Sequence, residues 1–453
     1  MIKRRTLLTG GLALPFLGLV GCSRSSNEPN PYMNANYGPV DVESTVTDLK
    51  VTGSIPRELI GRFLRNGPNP TGEIDTGSYH WFTGRGMVHG LRLNDGRAEW
   101  YRNRYVGGSQ ANTNVIGHGG RTLAIVESGG MPVDMSYTLD SIGENASIGT
   151  GYTAHPKLDP DTGELHAMCY DWANLRDHIR YVVVDAQGEW SDETEIPMPG
   201  MTMIHDMSLT ANYAVIYDLP VTLSFVALGT GASFPFRWDD DHEPRVGLLP
   251  RNGAASDIIW SPLKPNYAYH PMNAYEDVQG NVVIDIVRYE RMFDQDIRGP
   301  FGDSKPRLDR WTINPGTRTV SEQIVDARPQ EFPRCHPDLN GKPYRYGYSV
   351  AVEGYSFPSI YKQDLQTGHA TQFDMGAGRH SAEPVFIPRD TAQAEDDGYL
   401  MTYVFDENTN RTDLVILDAK DLARPALAQV HLPVRVPYGF HGNWVPDSTT
   451  APA

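Results

Sequence analysis

Four histidines, His155, His205, His270 and His441, stand in short apolar or turn-rich stretches. These are Ala154-His155-Pro156-Lys157, Ile204-His205-Asp206-Met207, Tyr269-His270-Pro271-Met272 and Gly439-Phe440-His441-Gly442. Neutral imidazole is a good ligand for iron, copper, nickel or zinc. The gaps between the four are 50, 65 and 171 residues, whereas a helical metal motif sets its ligands a turn or two apart. If they meet, the fold must carry distant strands to one axis. Spacing alone does not select them from the fourteen histidines of the chain. His118, His166, His178, His242, His369, His380 and His431 sit in polar or mixed contexts and read as surface or hydrogen-bonded core residues. His80, His89 and His336 are not so easily set aside.

The elements that could do this positioning are strands. Alternating or β-branched runs recur at Tyr181-Val182-Val183-Val184, Asn281 to Val287 and Thr412 to Ile416. Turn signals separate such runs, among them Asn94-Asp95-Gly96, Asp161-Thr162-Gly163 and Gln279-Gly280-Asn281. With 44 Gly and 34 Pro spread along 453 residues, the pattern predicts short strands and an all-β protein. No long amphipathic helix and no strand–helix alternation is visible. No internal repeat is visible either, so a propeller does not follow from periodicity.

The words around the histidines resemble those of the carotenoid cleavage oxygenase family. The shared segments are Gly61-Arg62-Phe63-Leu64-Arg65-Asn66-Gly67-Pro68-Asn69-Pro70, His80-Trp81-Phe82, Gly86-Met87-Val88-His89-Gly90, Glu383-Pro384-Val385-Phe386-Ile387-Pro388-Arg389 and Pro437-Tyr438-Gly439-Phe440-His441-Gly442. They run in order from about Tyr37 to about Val445. The resemblance implies a seven-bladed β-propeller over 37–447, with long loops forming a cap over the metal face and a short tail at 448–453. It implies one ferrous ion on the axis, held by His155, His205, His270 and His441. Glu127, Glu331 and Glu383 match carboxylates that hydrogen-bond three of the histidines, which would fix their tautomer and orientation. Thr113 matches a threonine whose methyl crowds one vacant position at the metal.

The activity so implied is cleavage of a carbon–carbon double bond of a carotenoid or apocarotenoid by dioxygen, giving two carbonyl products. The substrate would be an apolar polyene, enclosed by Trp and Phe. Stilbene-cleaving members usually carry a lysine directly before the first of the three glutamates. Here that position is Val126, which makes a phenolic stilbene the second reading; Tyr101 or Tyr105 could still supply a phenol partner. Arg85 also departs from the family's common Gly-Asp-Gly. A non-catalytic exported propeller binding an apolar ligand, and a metal-dependent isomerase or hydrolase, are further alternatives.

Residues 1–21 read as an export signal. Lys3-Arg4-Arg5 precedes the apolar run Leu7 to Val20, too short and Gly-rich for a membrane span. The adjacent arginines suggest the twin-arginine route, and Leu19-Val20-Gly21-Cys22 resembles a lipoprotein processing site with Cys22 lipidated. The expected location is periplasmic or membrane-anchored. Residues 22–36, rich in Ser, Asn and Pro, read as a flexible tether. Only Cys169 and Cys335 remain after Cys22, so no disulfide framework is expected. Net charge is −17, and near −20 without Lys3, Arg4 and Arg5, which argues against nucleic acid. The segment 219–236, from Leu219 to Phe236, reads either as a buried strand and turn or as an apolar tunnel mouth that touches membrane.

Overall fold

The computed structural model describes residues 29–108 and 110–450. The export signal, Cys22 and the last three residues lie outside them. Seven antiparallel sheets form the seven blades of a propeller. In chain order the blades are built on 61–105, 114–144, 157–197, 207–262, 267–326, 330–374 and 379–431.

Burial grades outwards along each blade. In the fifth, Val282–Tyr289 is buried at every position, because neighbouring blades cover both faces of its sheet. Such a strand needs no alternation, which is why Val282 to Val287 reads as a continuous apolar run. Each fully buried Val or Ile there contributes about 1.5–3 kcal/mol. The outermost strand, Thr319–Asp326, is mostly solvated and accordingly polar. Turn chemistry follows the sequence signals: Asp95 and Gly96 both have positive φ, 42° and 75°, as a two-residue turn between Gly86–Asn94 and Arg97–Tyr105 requires.

The ring closes twice. Gly442–Pro446 pairs with Gly61–Pro68 as the innermost strand of the first blade. Lys50–Gly53 pairs with Ala428–His431 at the outside of the seventh. Neither closing strand stands out as a strand in the sequence.

Three long connections, 69–85, 219–244 and 290–306, meet as a cap at one end of the axis. Their aromatic rings interlock: His80 stacks on Phe234 at 4.0 Å, and Phe234 lies 5.0 Å from Phe293. Residues 29–36 differ from the tether expected of them. They form short turns at Pro31–Met33 and Ala35–Tyr37 that dock on this cap. Tyr32 is fully buried, stacked on Trp81, with its hydroxyl accepting from the Phe301 N–H. One large aromatic residue outweighs the polar composition around it.

Candidate metal centre

Each blade sends one residue to the axis from its inner strands or the turns beside them, and the second sends two. His155 precedes Lys157–Leu158 of the third blade, and His205 precedes Met207–Leu209 of the fourth. His270 lies within Tyr267–Glu276 of the fifth, and His441 directly precedes the closing strand of the first. Thr113 and Glu127 flank the inner strands of the second blade. Glu331 lies in Gln330–Cys335 of the sixth, and Glu383 precedes Val385–Pro388 of the seventh. Strand register breaks around Pro271 and between Glu331 and Arg334. Such bulges re-aim side chains. Phe332 and Ser128, each directly after a glutamate, hold φ of 51° and 63°. Left-handed backbone at a non-glycine costs about 1–3 kcal/mol, which the surrounding contacts must offset.

The four histidines converge, all buried, with one potential ligand atom from each lying within 4.8 Å of the others. His205 Nδ1 donates to Glu127 Oε2 at 2.6 Å, His270 Nδ1 to Glu331 Oε2 at 2.7 Å and His441 Nδ1 to Glu383 Oε1 at 3.0 Å. A carboxylate only accepts, so each of these Nδ1 atoms carries a proton, and in the neutral, metal-binding ring each Nε2 holds the lone pair. His205 Nε2 and His270 Nε2 then face each other at 3.1 Å. Two lone pairs resist that approach, and a shared cation relieves it. Metal–imidazole bonds of about 2.1 Å at a right angle would separate the donors by about 3.0 Å. His155 Nε2 is buried without a hydrogen-bond partner. The donor set therefore fits a transition-metal ion.

Burial and the carboxylates pull the histidines in opposite directions. Burial, then the neighbouring histidines, holds His155 well below the ordinary imidazole pKa. Burial also lowers His441, to about 4, although Glu383 pulls the other way. At His270 burial is more than offset by Glu331, and the pKa is raised. Burial would raise both Glu331 and Glu383. His270 keeps the first below the usual carboxylate range; Arg334, then His441, does so for the second. The carboxylates place negative charge beside the site without occupying a ligand position.

Four supporting residues escaped sequence reasoning. Tyr170 donates its hydroxyl to Glu127, and Tyr289 donates to Glu331 at 3.0 Å. Arg334 Nε donates to Glu383 Oε1 at 2.9 Å. His155 has no carboxylate in hydrogen-bond reach; Asp206 Oδ2 lies 3.7 Å from its Nδ1 and pairs instead with Lys157. Only Asp206 carried a signal, its position next to His205.

A cavity of about 200 Å³ opens from the histidines into the cap. Trp81, Phe82, Trp172, Phe234, Phe301 and Phe440 are among the rings of its wall. Thr113 lines it, with its hydroxyl donating to Asn112 Oδ1 at 2.9 Å, so the methyl is its uncommitted group. Val126 lines it too. Tyr101 and Tyr105 do not: Tyr101 bonds to His89 at 2.9 Å and Tyr105 bonds to Asn69 at 2.6 Å. Arg85 reaches the Val106 carbonyl and lies over the Tyr105 ring, away from the histidines. Neither His80 nor His89 joins the cluster, and His336 caps a turn through the Asp338 N–H.

Fold and site together define a propeller whose axis carries a four-histidine metal centre under an aromatic cap. Comparison with known proteins gives this class a family. The model of the retinal pigment epithelial membrane protein (RPE65) family matches residues 37–446. A carotenoid cleavage oxygenase of Mycobacterium tuberculosis is 42% identical, with 94% of this chain and 99% of that protein covered. The apocarotenoid-15,15'-oxygenase of Synechocystis is 31% identical over 93% of this chain and 97% of its own. Among solved structures, the lignostilbene dioxygenase of Pseudomonas brassicacearum superposes with a TM-score of 0.84 at 28% identity, covering 92% and 98% of the two chains. The chain belongs to the carotenoid cleavage oxygenase family.

Proposed function

We propose that this protein is an iron(II)-dependent dioxygenase that cleaves one carbon–carbon double bond of a carotenoid or apocarotenoid, giving two carbonyl products. One observation carries the reading: four histidines converge with three carboxylate partners, and three of the four, His205, His270 and His441, line an aromatic cavity. His155, His205, His270 and His441 would hold the ion, and Glu127, Glu331 and Glu383 would orient three of them. Bound ferrous iron supplies the activation of dioxygen, which is otherwise inert towards closed-shell alkenes.

The chain's own residues do the rest. The ring walls desolvate a polyene and hold it in one register, and their π faces stabilise positive charge developing along it. The Thr113 methyl narrows the space on one side of the histidines and so favours a small diatomic there.

The lignostilbene dioxygenase among the structural neighbours supports a stilbene as the second reading. Val126 speaks against it, because it offers no partner for a phenol oxygen. Tyr170 and Tyr289 already donate to glutamates, which leaves Tyr269 as the cavity tyrosine whose hydroxyl has no partner. Tyr269 is thus the one neutral group left for a phenol, in place of a charged lysine; a phenol held out of its reach would be an unpaired buried hydroxyl, at a cost of roughly 1–3 kcal/mol, or about ten- to a hundredfold in binding. Side-by-side kcat/KM values should therefore favour an apocarotenal over a hydroxystilbene by about that factor. A stilbene that wins would reverse the assignment of substrate.

We further propose export by the twin-arginine route, with lipidation of Cys22 and a second membrane contact at the cap. The helix Phe225–Gly229 presents Phe225 and Val226 to solvent, 61% and 79% exposed, while Val221, Leu223 and Phe236 of the same segment are buried. The buried part fits the strand-and-turn reading, and the exposed pair supports the proposed contact. Fractionation of expressing cells checks the proposal. The wild-type chain should follow the membranes, and Cys22→Ser combined with Phe225→Ser and Val226→Ser should move it to the soluble fraction. A triple variant still bound to membrane would contradict both contacts.

A further inference from the structure

A second cavity, of about 890 Å³, reaches the histidines from the other end of the axis. It shares His270 and His441 with the apolar cavity and adds His155, but no residue of the cap lines it. Its lining is mixed: apolar side chains such as Leu59, Ile116, Leu165 and Val385 alternate with acidic ones. Exposed Glu58, Asp338 and Asp390 stand along it, and Asp206 and Glu383 lie buried beside the histidines. Lys157 and Arg334 are its only basic lining residues, and each is committed to one of the two buried carboxylates, at 2.8 and 2.9 Å. The outer acids are thus left without a basic partner from the channel lining. The unpartnered Nε2 of His155, a residue only 6% exposed, belongs to the one histidine that lines this cavity and not the apolar one.

We propose that this acid-lined axial channel is the route by which the divalent metal ion reaches the histidines, with Asp206 the last carboxylate it meets before His155. The inference rests on the four histidines being the metal site. Stripping water from a divalent ion against the aromatic rings of the other cavity is costly, because those rings offer no oxygen contacts and its two carboxylates, Glu127 and Glu331, are already engaged by histidines and tyrosines. An acidic cleft instead concentrates cations and supplies oxygen contacts along the way. Polyene and metal ion thus approach from opposite ends. Asp206 sits where its carboxylate can accept the ion once Lys157 lets go.

Metal-free full-length protein mixed with Co²⁺ tests the route through the rise of visible cobalt absorbance, a readout independent of turnover. Cleavage of mouth charge in the combined variant Glu58→Gln, Asp338→Asn, Asp390→Asn should slow uptake at low ionic strength by about tenfold, the lower end of electrostatic steering. Added salt should shrink that difference. Final cobalt occupancy, and the activity of the fully iron-loaded variant, should equal wild type. Asp206→Asn should slow uptake at every salt concentration. A nonionic alkyl ether detergent bound in the apolar cavity, followed by quenching of Trp81 and Trp172 fluorescence, should leave uptake unchanged. Equal uptake rates in wild type and the mouth variant, or a block by the detergent, would overturn the route and leave the metal site standing. A wild-type chain that binds no cobalt would overturn both.

Discussion

Replacing His270 by alanine is expected to abolish both metal binding and turnover. The imidazole supplies one of four ligand nitrogens, and its Nε2 faces that of His205 at 3.1 Å. Its loss removes the right-angled pair that best fits a metal ion. It also takes one donor from Glu331, a carboxylate only 2% exposed that would keep just Tyr289 and its neighbouring backbone N–H. The blade itself should hold, because Tyr267–Glu276 keeps its ladder with Val282–Tyr289. Metal analysis of the purified variant should therefore fall from about one iron per wild-type chain to background, with circular dichroism unchanged. Full iron occupancy would mean that the ion sits elsewhere.

Glu383→Gln is expected to keep the fold and lower metal affinity or kcat by about 10- to 100-fold, the range for loss of an outer partner of a ligand. The effect should lie toward the upper end. All three groups that face Glu383 are donors: His441 Nδ1 and Arg334 Nε at one oxygen, and the Gly442 N–H at the other, 2.8 Å away. A glutamine has only one acceptor oxygen. In either orientation its amide N–H₂ points at a donor, and Arg334 loses the charge that holds it. Iron titration and steady-state rates measure the loss; wild-type values in both would place Glu383 outside the working site.

The site was more legible in the sequence than the fold that carries it. Short words around His155, His205, His270, His441, Glu127, Glu331 and Glu383 single out residues that the structure gathers on one axis. Those words persist because a metal site fixes both residue type and local backbone, as the bulge at Pro271 and the left-handed Phe332 show. The blades leave no repeat, because each is specified by burial between neighbours rather than by a motif. Tyr170, Tyr289 and Arg334 were invisible for a related reason. Each acts across a blade boundary, on a residue 42 to 49 positions away. Composition misled at 29–36, where one buried tyrosine overrides a polar stretch. The channel acids were hidden too, since Glu58, Asp338 and Asp390 sit among ordinary surface carboxylates until the ring brings them together.

The strand that seals the ring begins directly after His441. As the chain leaves the ribosome, His155, His205 and His270 emerge with blades that are still an open arc. The fourth ligand comes with Gly442–Pro446, which can pair only once Gly61–Pro68 is brought round to meet it. The four-histidine cluster is thereby complete only once the ring has closed. A nascent arc offers three of the four imidazoles, and the finished ring presents all four to an ion arriving along the axis.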